Sequence, residues 1–296
     1  MPKFNVLESP DMPFASNRKL IRGIFLAFAL AFNSCAPLQP PSATGPKGNE
    51  PVYPVLFKED PHRRDAVVTA INKLLPQPGG SPTKDLELQP ITATIERLPS
   101  SGSSLLYLPK LGTAAVMNEE ETRESLRRFI KDSQELIGAD PAKLSLVERL
   151  DQTDGTKLAN YEQRPFRYPI RGNYGKLQIR FTTDRRIVNI MSSCIPDADR
   201  IQTALAASVI HLKAEDAVKQ LREGDIMYTD AKGSKLSFRA SAAGQITPRE
   251  LVTYILPSQS QPDALEFHIA WEVELTNSPV KMAYVDAFNG QVVAAE

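Results

Sequence analysis

The sequence contains few of the residues that build metal sites and covalent cross-links. Among 296 residues it has two cysteines, Cys35 and Cys194, and three widely spaced histidines, His62, His211 and His268. Two cysteines cannot form a disulfide framework or supply the thiolates of a structural zinc site. A zinc peptidase of the common helical type needs two histidines one turn apart with a glutamate between them. We therefore expect no metal, no cofactor and no catalytic residue, and we predict that the protein is not an enzyme.

The sequence also lacks an excess of charge of either sign. Its 35 Lys and Arg residues balance 35 Asp and Glu residues, so no overall field would draw the chain to nucleic acid. It contains neither a glycine-rich phosphate loop nor a GxSxG nucleophile elbow. What it does have is the 42% apolar and 24% charged composition of a folded protein, with length for two domains.

The front of the chain has the charge order of an export signal. Residues 23–32 are almost continuously apolar and follow three basic residues within 18–22, as in a secretory signal peptide rather than a spanning helix. The run ends in Phe-Asn-Ser-Cys, which resembles a bacterial lipobox. We expect residues 1–34 to be a lipoprotein signal peptide and Cys35 to carry the lipid, so that the exported protein is anchored at the cell envelope.

Two alternatives to this interpretation stay open. One is ordinary cleavage near Ala31, which would leave Cys35 as a free or paired thiol. The other is initiation at Met12, which would shorten the region before the apolar run while keeping its basic residues. Neither alternative changes the prediction of export.

The next residues predict a tether and then a segment of unknown type. Residues 37–56 contain six prolines, so we assign 35–56 to the lipidated cysteine and a disordered, extended linker. Helical spacing of apolar residues predicts a helix over 60–75, and weaker strand signals follow at 86–98 and 105–108. The segment 57–117 resembles no family.

A helix followed by antiparallel strands is predicted after residue 117. Asn118 is placed to cap a helix, with Glu121 in the capping-box position, and the helical pattern continues to Gly138. Strand signals follow at 144–150, 158–163, 177–181 and 187–191. The last two strands form a predicted hairpin across Arg185 and Arg186.

The same order is then repeated. A helix containing Ala217 is predicted to end at Gly224, and strand signals follow at 251–256, 265–275, 282–288 and 291–293. Asn289 and Gly290 predict a type I′ turn between the last two strands.

The strand over 265–275 alternates without a break. The alternation predicts Phe267 and Trp271 on the buried face, packed against the Ala217 helix rather than lining a ligand pocket. It predicts His268 on the polar face beside Glu266, as a solvated histidine or as a pH-sensitive partner contact.

Residues from 118 onwards resemble the propeptides of thermolysin-type and fungalysin-type secreted metalloproteases. The first match is the helix end 129–138, then Gln163, Pro169, Ile170 and Gly172, and later Pro196 with Asp197. The second match, to a PepSY module, is the helix start 214–217, the strand 251–256, Trp271, and the tail 284–287 with Asn289, Gly290 and Val292.

The resemblance implies an α+β fold of two consecutive cystatin-like units, each a helix packed on an antiparallel sheet. It places a fungalysin/thermolysin-propeptide-like module at 118–200 and a PepSY-like module at 201–296. In the family such modules inhibit and chaperone the peptidase that follows them. The sequence ends at Glu296, where that peptidase would begin, so we expect any such activity to operate in trans or to have been lost.

The expected partner is therefore a protein, an extracytoplasmic metalloprotease, with the membrane contacted through the lipid alone. The alternative is an envelope structural or assembly module without a peptidase partner, and a small-molecule site in the sheet is a third hypothesis. Affinity is expected to come from the sheet surface or an edge strand of the second module rather than from residues 294–296.

Cys194 is predicted to be a core residue rather than part of a thiol–histidine pair. Asp197 and Asp199 offer too few oxygens for a calcium loop.

Overall fold

The computed structural model describes residues 52–74, 86–98, 106–113, 116–230, 232–240 and 244–296. Helices and antiparallel sheets follow each other along these residues, which confirms the predicted α+β class. The helices are α1 (Pro61–Leu74), α2 (Glu119–Asp132), α3 (Gln134–Ile137), α4 (Ala198–Ala206) and α5 (Ala214–Glu223). The strands are β1 (Val55–Lys58), β2 (Glu87–Leu88), β3 (Ile95–Arg97), β4 (Leu144–Asp151), β5 (Thr156–Gln163), β6 (Ile170–Arg171), β7 (Lys176–Thr182), β8 (Ile187–Ser192), β9 (Asp225–Thr229), β10 (Lys235–Arg239), β11 (Ile246–Pro257), β12 (Ala264–Leu275), β13 (Met282–Asp286) and β14 (Val292–Ala295).

The first helix of the repeat begins as the sequence predicts. The Asn118 side chain accepts a hydrogen bond from the Glu121 N–H at 2.9 Å, and Glu121 accepts one from the Asn118 N–H at 3.0 Å. This capping box satisfies two N–H groups that the helix cannot pair internally. The single helix predicted to reach Gly138 is interrupted at Ser133, which separates α2 from α3. Gly138 ends α3 in the left-handed conformation, with φ 81°.

The first sheet is a four-stranded antiparallel sheet in the order β4-β5-β7-β8. Its alternation puts Ala159, Ile179 and Ile190 on the inner face, where they share a buried cluster with Leu126 and Ile130 of α2. The residues that alternate with these along the same strands lie on the outer face. This sheet therefore has one face in the core and one face directed away from α2.

The segment before residue 118 belongs to both halves of the fold. Val67 and Ile71 of α1 pack into the cluster beneath the first sheet, whereas β1 pairs with β12 of the second sheet. The strand predicted over 86–98 is two short strands, because the chain turns between them with Ala93 at φ 49°. The predicted linker ends at residue 56, yet β1 already begins at Val55.

The second sheet has the order β14-β13-β12-β11-β6, and β1 also pairs with β12. β11 accompanies β12 along nearly all of its length, while β1 pairs with residues 264–267 and β13 with residues 270–274. β12 is thus a central strand. One face of the sheet buries Ile201 and Leu205 of α4, and Ala217 and Leu221 of α5.

A short connection links the two sheets. The Gln163 side-chain amide donates to the Ile195 carbonyl at 2.9 Å and accepts from the Ile195 N–H at 2.8 Å. Past this point β6 pairs in parallel with β11. Gly172 follows with φ 89°, and a Cβ there would lie 2.8 Å from the Ile255 carbonyl oxygen. The glycine of the propeptide-like pattern therefore allows the backbone to pass close to β11.

Several elements had no clear sequence signal. α4 and the strands β1, β6, β9 and β10 lie outside the predicted elements. The β9–β10 hairpin packs Ile226, Tyr228 and Phe238 onto the cluster that contains Ala217 and Leu221. None of the helices in the part of the chain that the structure describes is both long and apolar enough to cross a membrane.

Candidate functional site

A groove of about 460 Å³ lies on the outer face of the first sheet. Its floor is a row of residues, one from each strand, with Glu148 beside Asn160, Asn160 beside Gln178, and Gln178 beside Met191. A second row, formed by Glu162 and Lys176, runs next to it. The register of the sheet therefore brings together residues that lie far apart in the sequence.

The amide side chains of the floor are hydrogen-bonded to each other. Gln178 Nε2 donates to Asn160 Oδ1 at 3.0 Å, and Asn160 Nδ2 donates to Glu148 Oε2 at 3.4 Å. All donors of this ladder point the same way across the sheet, so each amide is held in one orientation. We call the set Glu148, Asn160 and Gln178 the amide ladder.

Two exposed apolar residues lie at opposite ends of the groove. Val147 of β4 is 54% exposed, and Met191 of β8 is 45% exposed. Val147 is the extra residue of a β-bulge, since Leu146 pairs with Tyr161 and Glu148 with Asn160. A bulge redirects side chains at a sheet edge, and here the bulged residue lines the groove.

Part of the groove wall comes from outside the sheet and is polar. Gln89 follows β2, Asn173 follows β6, and Ser193 follows β8. The Ser193 hydroxyl donates to the Asn173 carbonyl at 2.8 Å and thereby connects two of these wall segments.

The charges around the groove are balanced. Glu148 and Glu162 contribute two carboxylates, and Lys176 contributes one ammonium group. Arg164 lies 3.0 Å from the Glu162 carboxylate and offsets the second negative charge. The groove therefore presents many hydrogen-bonding groups without a strong field of either sign.

A buried polar cluster in the second sheet is the other concentration of ionisable groups. Asp286 is fully buried, and its Oδ2 lies 2.6 Å from His268 Nδ1 and accepts a hydrogen bond from the Tyr53 hydroxyl at 3.0 Å. Its Oδ1 accepts from the N–H groups of Phe288 and Asn289 at 2.8 and 3.1 Å. Both carboxylate oxygens are thus paired, as a buried charge requires.

Tyr53 joins the N-terminal segment to this cluster. Its hydroxyl also accepts a hydrogen bond from the Ile269 N–H at 2.9 Å, and its ring stacks on Phe288 at 4.7 Å. Burial, reinforced by the negative charge of Asp286, raises the pKa of the Tyr53 phenol far above its ordinary value. Tyr53 is therefore a neutral donor in the folded protein.

His268 corrects the prediction of a solvated histidine. The side chain is on the predicted face of β12, beside Glu266, but His268 is only 6% exposed. Its partners occupy both ring nitrogens, since Nδ1 faces Asp286 and Nε2 lies 3.3 Å from Glu266 Oε2. The histidine is covered because the Tyr53 ring packs edge-on against the imidazole, with ring centroids 5.9 Å apart, and Tyr254 of β11 is opposite His268 in the register.

The cluster is not arranged as a hydrolytic triad. The Ser258 hydroxyl donates to Glu266 Oε1 at 2.6 Å rather than to the imidazole. In a hydrolytic triad the imidazole lies between the hydroxyl and the carboxylate, whereas here the Glu266 carboxylate lies between the Ser258 hydroxyl and the imidazole. The geometry instead fixes the positions of β12, the turn after β13 and the N-terminal segment.

Cys194 is placed in the core, as predicted. It is fully buried beneath the first sheet, and burial raises the pKa of its thiol to about 12. His211 lies instead against Phe288, with ring centroids 5.0 Å apart, and His62 is exposed at the start of α1. Within the described residues, no group of three or more His, Cys, Asp or Glu side chains is placed to hold a metal ion.

The aromatic residues of β12 have structural contacts. Phe267 is fully buried, but it packs in the cluster of α4 rather than against the Ala217 helix, and its ring lies 6.0 Å from that of Phe166. Trp271 is only half-buried and lies between the clusters of α4 and α5, where its Nε1 donates to the Leu212 carbonyl at 3.0 Å. Its predicted packing near Ala217 is confirmed, although the ring is less enclosed than the alternation indicates.

Several other predicted features have clear positions. Asp199 pairs with Lys143 at 2.8 Å, and Asp197 precedes α4 in the left-handed conformation. Arg185 forms the turn between β7 and β8 and donates to the Leu108 carbonyl at 3.2 Å. Cys35, the predicted lipidation site, lies outside the described residues.

The end of the chain is part of the second sheet. Residues 292–295 form β14, and the Glu296 N–H donates to the Met282 carbonyl at 2.9 Å. The Tyr254 hydroxyl also donates to the Glu296 carboxylate at 2.9 Å. The predicted type I′ turn before β14 is wrong: of Asn289 and Gly290, only Gly290 has positive φ, and that turn type needs both.

No protein-family model matches the chain, and a search of curated proteins finds no match either. The propeptide resemblance therefore stays a hypothesis that depends on the quoted residues.

The amide ladder was missed because its three residues occur singly in separate strands. The one signal available was that Asn160 and Gln178 lie at the polar positions of strands in which polar and apolar residues alternate.

Proposed function

We propose that the chain is a non-enzymatic cell-envelope lipoprotein that binds a protein partner, an extracytoplasmic metalloprotease, in trans. Cys35 carries the lipid, and the folded region from Tyr53 onwards binds. The chain inhibits or chaperones the protease, as the resemblance to propeptides implies.

The groove on the outer face of the first sheet is the observation that carries the binding role. It combines a polar floor, balanced charge and exposed apolar residues at both ends. Exposed apolar side chains rimmed by polar groups are typical of surfaces that contact other proteins. The non-enzymatic role is supported by His268 and Cys194, because the first is held by two carboxylates and the second is buried with a raised pKa.

The protease role is tested by refolding. A panel of thermolysin-type and fungalysin-type catalytic domains is denatured and refolded without propeptide, with the full chain or with serum albumin added. We expect the chain to raise the recovered peptidase activity of at least one domain several-fold over albumin, or to inhibit its mature form at near-equimolar concentration. Neither effect on any member of the panel, at a large molar excess of chain, would contradict the proposal and favour an assembly role without a peptidase.

The anchor is tested separately by mass spectrometry of the protein expressed in a bacterial host. We expect a mature N-terminus at Cys35 that carries a diacylglyceryl group, and we expect Cys35→Ala to release the protein from the membrane fraction. The matched control is Cys194→Ala, which keeps the anchor. A lipid-free mature N-terminus would contradict the anchor and leave the binding role untouched.

A further inference from the structure

We infer that the groove on the first sheet binds an extended peptide segment of the partner, whose main chain is held by the amide ladder and whose apolar side chains contact Val147 and Met191. The inference rests on the proposed function, since it assigns a surface to the protein partner. It commits to the first sheet, whereas the sequence had favoured the second module.

The chemistry of the floor matches a peptide main chain. A primary amide offers N–H donors and a carbonyl acceptor, the two kinds of group that a peptide unit also has. The hydrogen bonds within the ladder use Gln178 Nε2 and Asn160 Oδ1, which orients the carboxamide of Gln178 and directs its oxygen away from Asn160. Oriented amides select a hydrogen-bonding partner better than freely rotating ones, because less side-chain freedom is lost on binding.

The molecule itself contains an example of this mode. Gln163 holds the main chain of Ile195 with two hydrogen bonds, one to its N–H and one to its carbonyl, at 2.8 and 2.9 Å. The Gln163 residue is next in sequence to Glu162 of the groove. A main-chain segment held by a side-chain amide is thus already present in this fold.

The dimensions set the length of the segment. Strands in a sheet lie about 4.8 Å apart, so the row from β4 to β8 crosses about 14 Å. An extended chain advances about 3.3–3.6 Å per residue, and about four residues therefore cover the row. Because Val147 and Met191 lie at its two ends, the matching peptide has apolar side chains four positions apart with small polar residues between them.

The balanced charge of the groove and the absence of exposed aromatic rings among its lining residues argue against other occupants. Glu148 and Glu162 are offset by Lys176 and Arg164, which disfavours phosphorylated or strongly charged ligands. Glycans commonly stack on exposed aromatic rings. Among the lining residues of the groove the aromatic one is Tyr161, which is 8% exposed and belongs to the core cluster on the inner face.

The test uses two capped synthetic octapeptides of the same composition. In one, two leucines are four positions apart and separated by serine and glycine; in the other, they are adjacent. Binding to the full chain is measured by NMR chemical-shift titration. We expect the spaced peptide to perturb the groove residues and to bind at least about fivefold more tightly than its isomer.

Variants locate the binding. The double variant Asn160→Ala with Gln178→Ala is expected to weaken binding of the spaced peptide by about tenfold, the effect of about two lost hydrogen bonds. Asn189→Ala is the matched control, because Asn189 is on the outer face of the same sheet but does not line the groove. Circular dichroism and thermal melting establish that each variant is folded.

The outcomes separate this inference from the proposed function. Three outcomes would overturn the inference. They are equal affinity of the wild type and the double variant for the spaced peptide, chemical-shift changes confined to residues outside the groove, and tighter binding of chitohexaose than of the peptide. If refolding of a protease is assisted while the spaced peptide fails to bind, the proposed function stands and the surface is wrong. If the peptide binds in the groove while no protease responds, the surface stands and the protease role is wrong.

Discussion

The Nδ1 atom of His268 lies 2.6 Å from the Oδ2 atom of Asp286, and both side chains are buried in the middle of the second sheet. The contact connects β12 to the turn after β13. Through the same carboxylate, Tyr53 connects the N-terminal segment to both. Asp286 lies 18 residues after His268 in the sequence, and its side chain therefore connects three parts of the chain.

Replacing Asp286 with alanine should lower the free energy of unfolding by about 3–5 kcal/mol, since it leaves His268 and Tyr53 buried without their partner. Urea unfolding followed by tryptophan fluorescence measures the change. Asp263→Ala is the control, because its side chain is exposed, and surface substitutions usually stay within about 0.5 kcal/mol. A loss below about 1 kcal/mol for Asp286→Ala would mean that water replaces the carboxylate.

Stability should fall steeply as the pH rises above about 10, the ordinary pKa of tyrosine. Burial raises the pKa of Tyr161 to about 12, and burial with the charges of Glu296 and Glu272 raises that of Tyr284 to about 12. A raised pKa means that the folded state keeps a proton that the unfolded state loses, so this stability is present below pH ~10 and is lost as the pH rises towards 12.

Tyr161→Phe should make that fall shallower by about 1.4 kcal/mol per pH unit, because one proton fewer is released on unfolding. Urea unfolding at several alkaline pH values gives the slope. Tyr107→Phe is the control, as its ring is 41% exposed. Equal slopes for wild type and Tyr161→Phe would show that the Tyr161 phenol ionises freely in the folded protein.

Gly172→Ala should destabilise the fold clearly more than Gly155→Ala. Both glycines have positive φ, 89° and 77°, and an L-residue in that region costs about 1–2 kcal/mol. At Gly172 the added Cβ also meets the Ile255 carbonyl oxygen, whereas at Gly155 it meets nothing within 4 Å. Chemical unfolding of the two variants isolates the close approach, and equal losses would mean that β6 shifts without cost.

Cys194 should resist thiol reagents in the folded protein. The thiolate is the reactive form, and a buried thiol with a pKa of about 12 has almost none at neutral pH. The experiment uses Cys35→Ala, so that one thiol remains, and follows reaction with Ellman's reagent with and without denaturant. Rapid reaction in native buffer would show that the first core opens locally at β8.

The local signals in the sequence were reliable where neighbouring residues determine structure. Asn118 and Glu121 specify the start of α2 because the capping box uses groups three positions apart. The alternation of β12 correctly separated its two faces. It gave no information on whether the second face is covered, because Tyr53, which packs against His268, comes from the N-terminal segment, and Tyr254 comes from the adjacent strand.

The candidate site depended on information that one strand does not contain. Asn160 and Gln178 become neighbours only through the register of β5 and β7, and their residue types are ordinary for an exposed face. The turn after β13 was misassigned for a similar reason. The Asp286 carboxylate accepts from the N–H groups of Phe288 and Asn289 and stabilises a wider connection than the Asn-Gly pair alone indicates.

The pairing of β1 with β12 affects the order in which the chain can fold. Val55 is opposite Phe267 in the register, so β1 has no partner until the ribosome has synthesised the chain as far as β12. Contacts between such distant residues close a long loop and form slowly. Until then, Val55 and Phe57, which end up buried, are exposed on the nascent chain. We expect this strand to be the part of the protein most in need of a chaperone before folding is complete.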